Sequence, residues 1–207
     1  VGNNALQAAG AAHVVKKRNP GALVVCSMGE GTTQEGEVLE SIAEAVRAQL
    51  PVLYLVQDNS YAISTLTKGN TFYCTPKGEH EEFYSMPISR VDGKYFDKAY
   101  DVFGKVSAEI RQGSGPQVVV FNAERLASHS NADDHKIYRS SDDIKAIKDK
   151  ADPIAIAEKY LADNFGIDKF DEIKKEIEIA FSIKRLKTLL KRWLKINYFF
   201  YCWRRFE

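Results

Sequence analysis

The sequence has no apolar run long enough to cross a membrane and no excess of charge of one sign. Its 207 residues include 29 Lys and Arg against 28 Asp and Glu, which gives a formal net charge of +1. Without a long apolar run there is no reason to expect a transmembrane protein. The balance of charges gives no reason to expect a nucleic-acid-binding protein, because such proteins usually carry a basic surface. No secretory signal peptide is recognisable.

Cysteine is also scarce. The three cysteines, Cys26, Cys74 and Cys202, are odd in number and have no spacing typical of a metal site. This pattern predicts free thiols in a reducing compartment, because a disulfide-stabilised secreted domain needs paired cysteines. Cys26 lies within an apolar run and is predicted to be a small core residue. The chain is 44% hydrophobic, which is enough to bury one good core.

The stretch from residue 22 to residue 64 organises the rest of the chain. An apolar run, Leu23 to Met28, ends in Gly29-Glu30-Gly31, and an amphipathic segment follows it. A second apolar run, Val52 to Val56, ends in Asp58-Asn59. This succession predicts a strand, a helix and a second strand parallel to the first.

Polar side chains follow both predicted strands. Because the carboxyl ends of parallel strands lie at one edge of a sheet, Glu30 and Asn59 are expected to meet there. The flanking glycines let the backbone approach a phosphate closely, and a helix N-terminus favours anions. Carboxylate, amide and main-chain oxygens are the ligands that magnesium takes together with phosphate. The pattern therefore predicts a metal-bridged diphosphate site, whereas Gly-x-Gly alone would indicate only a turn.

These residues carry a resemblance to a known family. GEG at positions 29–31, followed by Asn59, resembles the thiamine-diphosphate motif that begins GDG and ends NN. The chain most resembles the alpha subunit of the thiamine-diphosphate-dependent first component of 2-oxo acid dehydrogenase complexes. Branched-chain (2-oxoisovalerate-type) members of that family commonly have GEG, and they carry NNGYAIS where this chain has DNSYAIS.

A second block, RLASHSNADDHKIYRS from Arg125 to Ser140, resembles the phosphorylation loop of the same family. In the family, the residue that matches His129 takes part in acyl transfer near the thiazolium ring. The Arg that matches Arg125 supports diphosphate binding, and Ser130 matches a serine that a kinase phosphorylates in some members. The residues expected to order this loop by hydrogen bonds and ion pairs are Asp133, Asp134, Tyr138 and Arg139.

The resemblance also implies a complete site. The Glu30 carboxylate, the Asn59 side-chain oxygen and the Tyr61 main-chain carbonyl would bind magnesium. Gly31 and Thr32 would donate backbone N–H groups to the diphosphate. The implied cofactor-binding residues are Val1, Gly29, Glu30, Gly31, Thr32, Asn59, Tyr61, Arg125 and His129, and His129 is also the implied catalytic residue.

Several positions depart from the family pattern. Asp58 stands where the first Asn of the pair is usual, and Gln57 stands where branched-chain members often have an Arg that touches the diphosphate. The diphosphate affinity is therefore expected to be weaker. The residue matching Val1 offers its carbonyl to the aminopyrimidine ring, and the positions after it can bind potassium. Because Asn3-Asn4 replace the usual Thr-Gln or Ala-Gln, no potassium site is carried over.

The pattern of the whole chain predicts an α/β fold. A parallel sheet flanked by helices is expected, as in the thiamine-diphosphate-binding fold, with a C-terminal helical extension. The expected elements are helices over Val1–Arg18 and Ala99–Gln112, a strand at Ile88–Val91, a strand buried on both faces at Gln117–Asn122, and a long loop over Tyr61–Pro87. The residues of the second helix expected to face the core are Tyr100, Phe103, Val106 and Ile110.

Three segments are predicted. Residues 1–150 form the cofactor-binding domain, residues 151–181 are helices that pack on it and begin at Asp152-Pro153, and residues 182–207 are an atypical basic and aromatic tail. The tail could be a basic amphipathic helix for a membrane or acidic surface, a subunit contact, or an altered terminus from a truncated or frame-shifted gene. The last is favoured because neither composition nor pattern continues the segment before it.

The expected function is that of the thiamine-diphosphate- and magnesium-binding part of a branched-chain 2-oxo acid dehydrogenase. This oxidoreductase decarboxylates a 2-oxo acid and transfers the acyl group to a lipoyl group, with pyruvate as the next expected substrate. The implied partners are a beta subunit, or a fused beta half, and a lipoyl-bearing acyltransferase. In the family, the beta subunit supplies the glutamate that activates the cofactor, and an upstream Tyr-Arg element grips the diphosphate. Neither is found here, so the chain is expected to be inactive alone.

Two other functions remain open. A transketolase-like thiamine enzyme would share GDG and a downstream Asn but should lack the block from Arg125 to Ser140. Alternatively, the chain could be a non-catalytic remnant or an interaction module. The expected location is the cytoplasm in a bacterium or the mitochondrial matrix in a eukaryote.

Overall fold

The computed structural model describes residues 1–180, and its central feature is a five-stranded sheet. Helices and strands alternate along the chain, with short 3-10 turns between some of them. In chain order they are α1 (Asn3–Arg18), β1 (Val24–Gly29), a 3-10 turn (Glu30–Gln34), α2 (Gly36–Arg47), β2 (Val52–Asp58), β3 (Tyr61–Ala62), β4 (Thr65–Leu66), β5 (Cys74–Thr75), β6 (Gly78–Glu79), β7 (Glu82–Phe83), β8 (Met86–Asp92), α3 (Phe96–Arg111), β9 (Gln117–Asn122), a 3-10 turn (His135–Ile137), α4 (Ser141–Lys150), α5 (Pro153–Phe165) and α6 (Ile167–Ala180).

The sheet has the order β1-β2-β9-β8-β7, and its first four strands are parallel. This confirms the predicted strand–helix–strand unit and the α/β class. β7 adds a short antiparallel edge, because a tight turn at Tyr84 and Ser85 returns the chain directly into β8. The sheet is therefore mixed, with a short antiparallel edge added to the predicted parallel sheet.

The central parallel strands end together. Gly29 of β1 lies opposite Gln57, and Asp58 of β2 lies opposite Asn122 of β9. The segments that follow these three strands therefore leave from the same edge of the sheet. In open α/β sheets this edge carries the ligand sites.

Alternate residues of the central strands face opposite sides of the sheet. Val52, Tyr54 and Val56 of β2 pack on the side of α1 and α2, whereas Leu53 packs on the side of α3. In β9, Val118 and Val120 pack on the first side and Val119 packs on the second, which confirms the predicted burial of this strand on both faces. Small side chains let α1 approach α2 and the sheet closely; they are Ala5, Ala8, Ala9 and Ala12.

Helix α3 differs from the prediction at Tyr100, which is 79% exposed. Val106 and Ile110 are buried as predicted, and Phe103 is half-buried against the same cluster. At 100° per residue the buried stripe is centred near Ala99 and Ile110, and Tyr100 lies about a quarter of a turn away from it. The prediction was wrong because it assigned the aromatic ring to the core without regard to its phase on the helix.

The segment between β2 and β8 contains short hairpins, where the sequence predicted only a loop. β3 pairs with β4, and β5 pairs with β6, both antiparallel. Several turn residues that are not glycine have left-handed backbone angles, among them Ser60 with φ 66° and Ile63 with φ 60°. Hairpin turns are usually marked by Asn-Gly or Asp-Gly, so these turns lacked the sequence signal that would have predicted them.

The C-terminal helices begin where the sequence predicted. Asp152 Oδ1 accepts a hydrogen bond of 2.9 Å from the Ile154 backbone N–H, as an N-cap does. Gly166, with φ 83°, separates α5 from α6. The chain divides into two compact units, Val1–Ile156 and a second that begins at Ala157. The predicted boundaries after residues 150 and 181, and the packing of the helices on the first domain, stay predictions.

The predicted tail, residues 182–207 with Cys202, lies outside the described residues. Cys26 and Cys74 are free thiols, and Cys26 is buried in the core as predicted. Within residues 1–180, no helix is both long enough and apolar enough to cross a membrane.

Candidate cofactor and metal site

The loops after β1 and β2 bring Glu30 and Asn59 into contact. Glu30 begins the 3-10 turn that follows β1 and is only 2% exposed. Its Oε2 accepts hydrogen bonds from the backbone N–H and from the side-chain amide of Asn59, at 3.4 and 3.3 Å. The two residues therefore meet at the carboxyl edge of the sheet, as the parallel strands required.

Two oxygen atoms at this contact are buried without a hydrogen-bond partner: Glu30 Oε1 and Asn59 Oδ1. Burial raises the pKa of Glu30, partly offset by backbone N–H groups that include those of Asn59 and Tyr61, and the charge of Asp58 raises it further. An unpaired buried acceptor costs free energy, so a cation between these oxygens would relieve that cost. In the part of the chain that the structure describes, no three His, Cys, Asp or Glu side chains cluster as metal ligands. Glu30 and Asn59 thus offer a cation one carboxylate oxygen and one amide oxygen.

The glycine loop touches the segment after β2. A Cβ added to Gly31 would lie 2.6 Å from the Cβ of Ala62, a distance that no side chain tolerates, so packing requires glycine there. A Cβ added to Gly29 would meet no atom within 4 Å. Thr32 is half-buried, and its carbonyl accepts the Glu35 backbone N–H at 3.1 Å, which closes the turn. The backbone beside Gly29 is therefore open to a ligand.

The amino terminus lies beside this turn. Val1 is 93% exposed, and Gly2 is buried with φ 89°. A Cβ on Gly2 would lie 3.0 Å from the Cβ of Glu35, at the end of the turn that Glu30 begins. Val1 is thus joined to the site through Gly2, while its own side chain faces solvent.

Arg125 connects the second predicted block to the first. Its Nη1 donates a hydrogen bond to the Ile63 carbonyl at 2.8 Å, and its Nη2 donates one to the Tyr138 hydroxyl at 2.6 Å. Its guanidinium lies 5.5 Å from the centre of the Tyr61 ring, in a cation–π arrangement. Arg139 lies over the same ring at 5.4 Å. The structure therefore packs the two blocks against each other around Tyr61.

The loop that carries His129 is held by Asp133. One oxygen of Asp133, Oδ2, accepts the Tyr138 hydroxyl at 2.7 Å and the His129 backbone N–H at 2.8 Å. These bonds, led by the one from Tyr138, lower the pKa of Asp133. The His129 side chain is exposed, so the loop is fixed through its backbone while the imidazole stays accessible.

Residues 1–182 match the family model described as dehydrogenase E1 component. The chain belongs to the dehydrogenase E1 component family. Both blocks of this E1 family member, the strand–helix–strand unit and the loop with His129, lie within the matched residues.

Curated relatives of this E1 family member are bacterial and mammalian. The chain is 33% identical over 164 residues to the 3-methyl-2-oxobutanoate dehydrogenase subunit alpha of Mycobacterium tuberculosis, covering 79% of this chain and 44% of that one. It is 30% identical over 181 residues to the pyruvate dehydrogenase E1 component subunit alpha of Staphylococcus aureus, covering 87% and 48%. It is 28% identical over 159 residues to the mitochondrial 2-oxoisovalerate dehydrogenase subunit alpha of Mus musculus, covering 75% and 35%. The chain therefore spans less than half the length of these relatives.

Sequence reasoning missed one polar contact of this E1 family member. Tyr73, which is 2% exposed, donates a hydrogen bond of 2.7 Å from its hydroxyl to Asp58 Oδ2. Burial raises the pKa of Tyr73, and the bond to Asp58 raises it further. A polar cavity of about 210 Å³ lies beside this pair, with Arg90 and Asn122 in its wall. No periodic pattern in the segment 61–87 pointed to Tyr73.

Proposed function

We propose that this chain is part of the alpha subunit of a 2-oxo acid dehydrogenase first component, and that it binds thiamine diphosphate through a magnesium ion. One observation carries the proposal: Glu30 Oε1 and Asn59 Oδ1 are both buried without a hydrogen-bond partner. The two residues contact each other at the carboxyl edge of the sheet, where open α/β proteins bind ligands. Membership of the E1 component family and the names of the curated relatives support the same class.

The metal ion would take these two oxygens, with the main-chain carbonyl of Tyr61 as a third ligand. Magnesium prefers oxygen ligands and keeps several of its own waters, so a carboxylate, an amide and a carbonyl suit it when a diphosphate completes the shell. Glu30 has to be ionised to bind. A bound cation would offset the burial that raises its pKa.

The diphosphate would lie against the glycine loop. The open space beside Gly29 supports this assignment, and the backbone N–H groups of Gly31 and Thr32 would donate to the diphosphate. Arg125 would add positive charge from the opposite loop, and its buried Nε has no hydrogen-bond partner. The main-chain carbonyl of Val1 would contact the aminopyrimidine ring.

When bound, thiamine diphosphate supplies the electron sink that lets a 2-oxo acid lose carbon dioxide. The part of this chain would be to hold the cofactor and to present His129. Because Asp133 fixes the His129 backbone and leaves the imidazole exposed, the ring could exchange a proton with the substrate during acyl transfer to a lipoyl group.

The proposed substrate is a branched-chain 2-oxo acid. GEG, the YAIS sequence after Asn59 and the 33% identity to a 3-methyl-2-oxobutanoate dehydrogenase alpha subunit support this choice. Pyruvate is the second candidate, because the match to a pyruvate dehydrogenase alpha subunit covers more of the chain, 87% against 79%. Turnover of 3-methyl-2-oxobutanoate and pyruvate by the assembled enzyme would separate the two.

The proposed partners are a beta subunit, or a fused beta half, and a lipoyl-bearing acyltransferase. The names of the relatives, which are alpha subunits, support the first partner. The bacterial cytoplasm or the mitochondrial matrix would be the compartment. The Arg125–Ser140 block favours this function over a transketolase-like one.

The test is calorimetric titration of thiamine diphosphate with magnesium into the full chain, with and without a beta partner. The proposal expects saturable heat that is lost in Glu30→Gln and kept in Glu40→Gln, a matched change on the exposed side of α2. Absence of heat from the wild-type chain in both arms would overturn the proposal in favour of a remnant or an interaction module.

A further inference from the structure

We infer that Asp58 is a second carboxylate of this site, held out of the metal's inner shell by Tyr73, and that it strengthens binding of the divalent cation and weakens binding of the diphosphate. The inference rests on the proposed function. It concerns the relative strength of cation and diphosphate binding, which the assignment of Glu30, Asn59 and Tyr61 leaves open.

Both oxygens of Asp58 are fixed by hydrogen bonds. The Ser60 backbone N–H donates to Oδ1 at 2.8 Å, and the Tyr73 hydroxyl donates to Oδ2 at 2.7 Å. Asp58 is the covalent neighbour of Asn59, whose side chain is directed at Glu30. The two adjacent side chains therefore have separate partners: Asn59 contacts the buried carboxylate, and Asp58 contacts the hairpin segment.

Tyr73 cannot easily follow a movement of Asp58. Its ring is buried and packs edge-on against Phe72, with ring centres 5.3 Å apart. Its carbonyl accepts a hydrogen bond of 2.7 Å from Arg90 Nη2, and the same nitrogen bonds the His80 carbonyl at 2.8 Å. Arg90 belongs to β8, so the sheet itself holds Tyr73 in place. Tyr73 is thus a positioning residue for Asp58.

The charge of Asp58 is not cancelled by these bonds, because a backbone N–H and a phenol are both neutral. It acts on Glu30 as a second negative charge. Magnesium keeps several waters when it binds a protein, so a carboxylate outside the inner shell can still attract the ion and bond its waters. The same charge repels a diphosphate. Asp58 should therefore strengthen cation binding and weaken diphosphate binding.

The experiment measures two affinities in the full chain. Manganese(II) alone is titrated and followed by its EPR signal, and thiamine diphosphate is then titrated into the manganese-loaded protein by calorimetry. Asp58→Asn should weaken manganese binding about tenfold and tighten thiamine diphosphate binding severalfold. Asp101→Asn, the same change on the exposed face of α3, should alter neither. Structural damage would weaken both affinities together, and that outcome would overturn the inference.

Tyr73→Phe tests the positioning role. It removes only the hydroxyl, so the Asp58 carboxylate is no longer held away from the metal, and manganese binding should tighten, whereas Asp58→Asn weakens it. In the double variant, Tyr73→Phe should have no further effect, because the charge it positions is gone. Additive effects would overturn the role of Tyr73. Absence of manganese binding by the wild-type chain would overturn both this inference and the proposed function, whereas binding that Asp58→Asn leaves unchanged would overturn the inference alone.

Discussion

The side-chain amide of Asn59 lies 3.3 Å from the carboxylate of Glu30, although 29 positions separate the two residues in the chain. Parallel pairing of β1 and β2 accounts for this contact, since both strands end at the same edge. Each residue also has a buried oxygen without a partner, so the contact is incomplete in the chain alone.

Replacing Glu30 by Gln should stabilise the metal-free chain at neutral pH. Burial raises the pKa of Glu30, so the folded state disfavours the ionised form, and wild-type stability should fall as the pH rises from the ordinary glutamate range towards neutrality. We expect a Tm higher by about 2–4 °C at neutral pH and equal to wild type near pH 4. Thermal unfolding followed by circular dichroism measures this.

Adding magnesium and thiamine diphosphate should make the wild type more stable than Glu30→Gln, because only the protein with the carboxylate is stabilised by binding. If Glu30→Gln is less stable than wild type at neutral pH without metal, the buried carboxylate is not the unfavourable group that its surroundings indicate.

Replacing Gly31 by Ala should destabilise the fold by about 1–3 kcal/mol, because the new methyl group would lie 2.6 Å from the Ala62 Cβ. Urea unfolding measures the change. The matched variant is Gly29→Ala, whose added methyl meets nothing within 4 Å and should leave stability nearly unchanged. Under the proposed function, Gly29→Ala should still weaken diphosphate binding. Equal stability of the two variants would show that the two loops adapt freely.

Replacing Tyr138 by Phe should loosen the loop that carries His129. The hydroxyl joins Arg125 Nη2 to Asp133 Oδ2, and its loss leaves both groups with one bond fewer. Limited proteolysis should cut between residues 125 and 139 several times faster than in wild type. Tyr100→Phe, at an exposed ring on α3, is the control and should not change the rate. Unchanged cleavage in Tyr138→Phe would mean that the loop is held by other contacts.

The order of the same loop should depend on pH through Asp133. Its pKa is lowered by the Tyr138 hydroxyl and the His129 N–H, so its contribution is present above the ordinary Asp range and is lost as the pH falls through the lowered pKa. Hydrogen exchange of the His129 amide, corrected for intrinsic rates, should lose protection in that acidic window. Asp133→Asn should show the lower protection already at pH 6. Protection that survives acid until global unfolding would contradict this assignment.

The sequence predicted the main sheet and the meeting of Glu30 with Asn59 because both follow from strand periodicity and parallel pairing. It also identified the loop from Arg125 to Ser140, although the contact of that loop with Tyr61 came only from the structure. The roles of these residues in cofactor and metal binding stay predictions.

Other features had no signal in the sequence. The bond from Tyr73 to Asp58 depends on short hairpins whose turns use residues such as Ser60 and Ile63 in left-handed conformations. A β-branched residue rarely adopts φ 60°, and Ile63 adopts it where its own carbonyl accepts a hydrogen bond from Arg125. The exposure of Tyr100 was missed because helical phase, rather than apolarity, decides which side faces the sheet.

The ring of Tyr61 is shared by two stretches of chain more than sixty positions apart, with Arg125, Arg139 and Tyr138 around it. Neither stretch can change its packing there without a matching change in the other. Across related proteins, these four positions should therefore vary as a group: loss of the aromatic ring at one end should accompany loss of the guanidinium groups at the other.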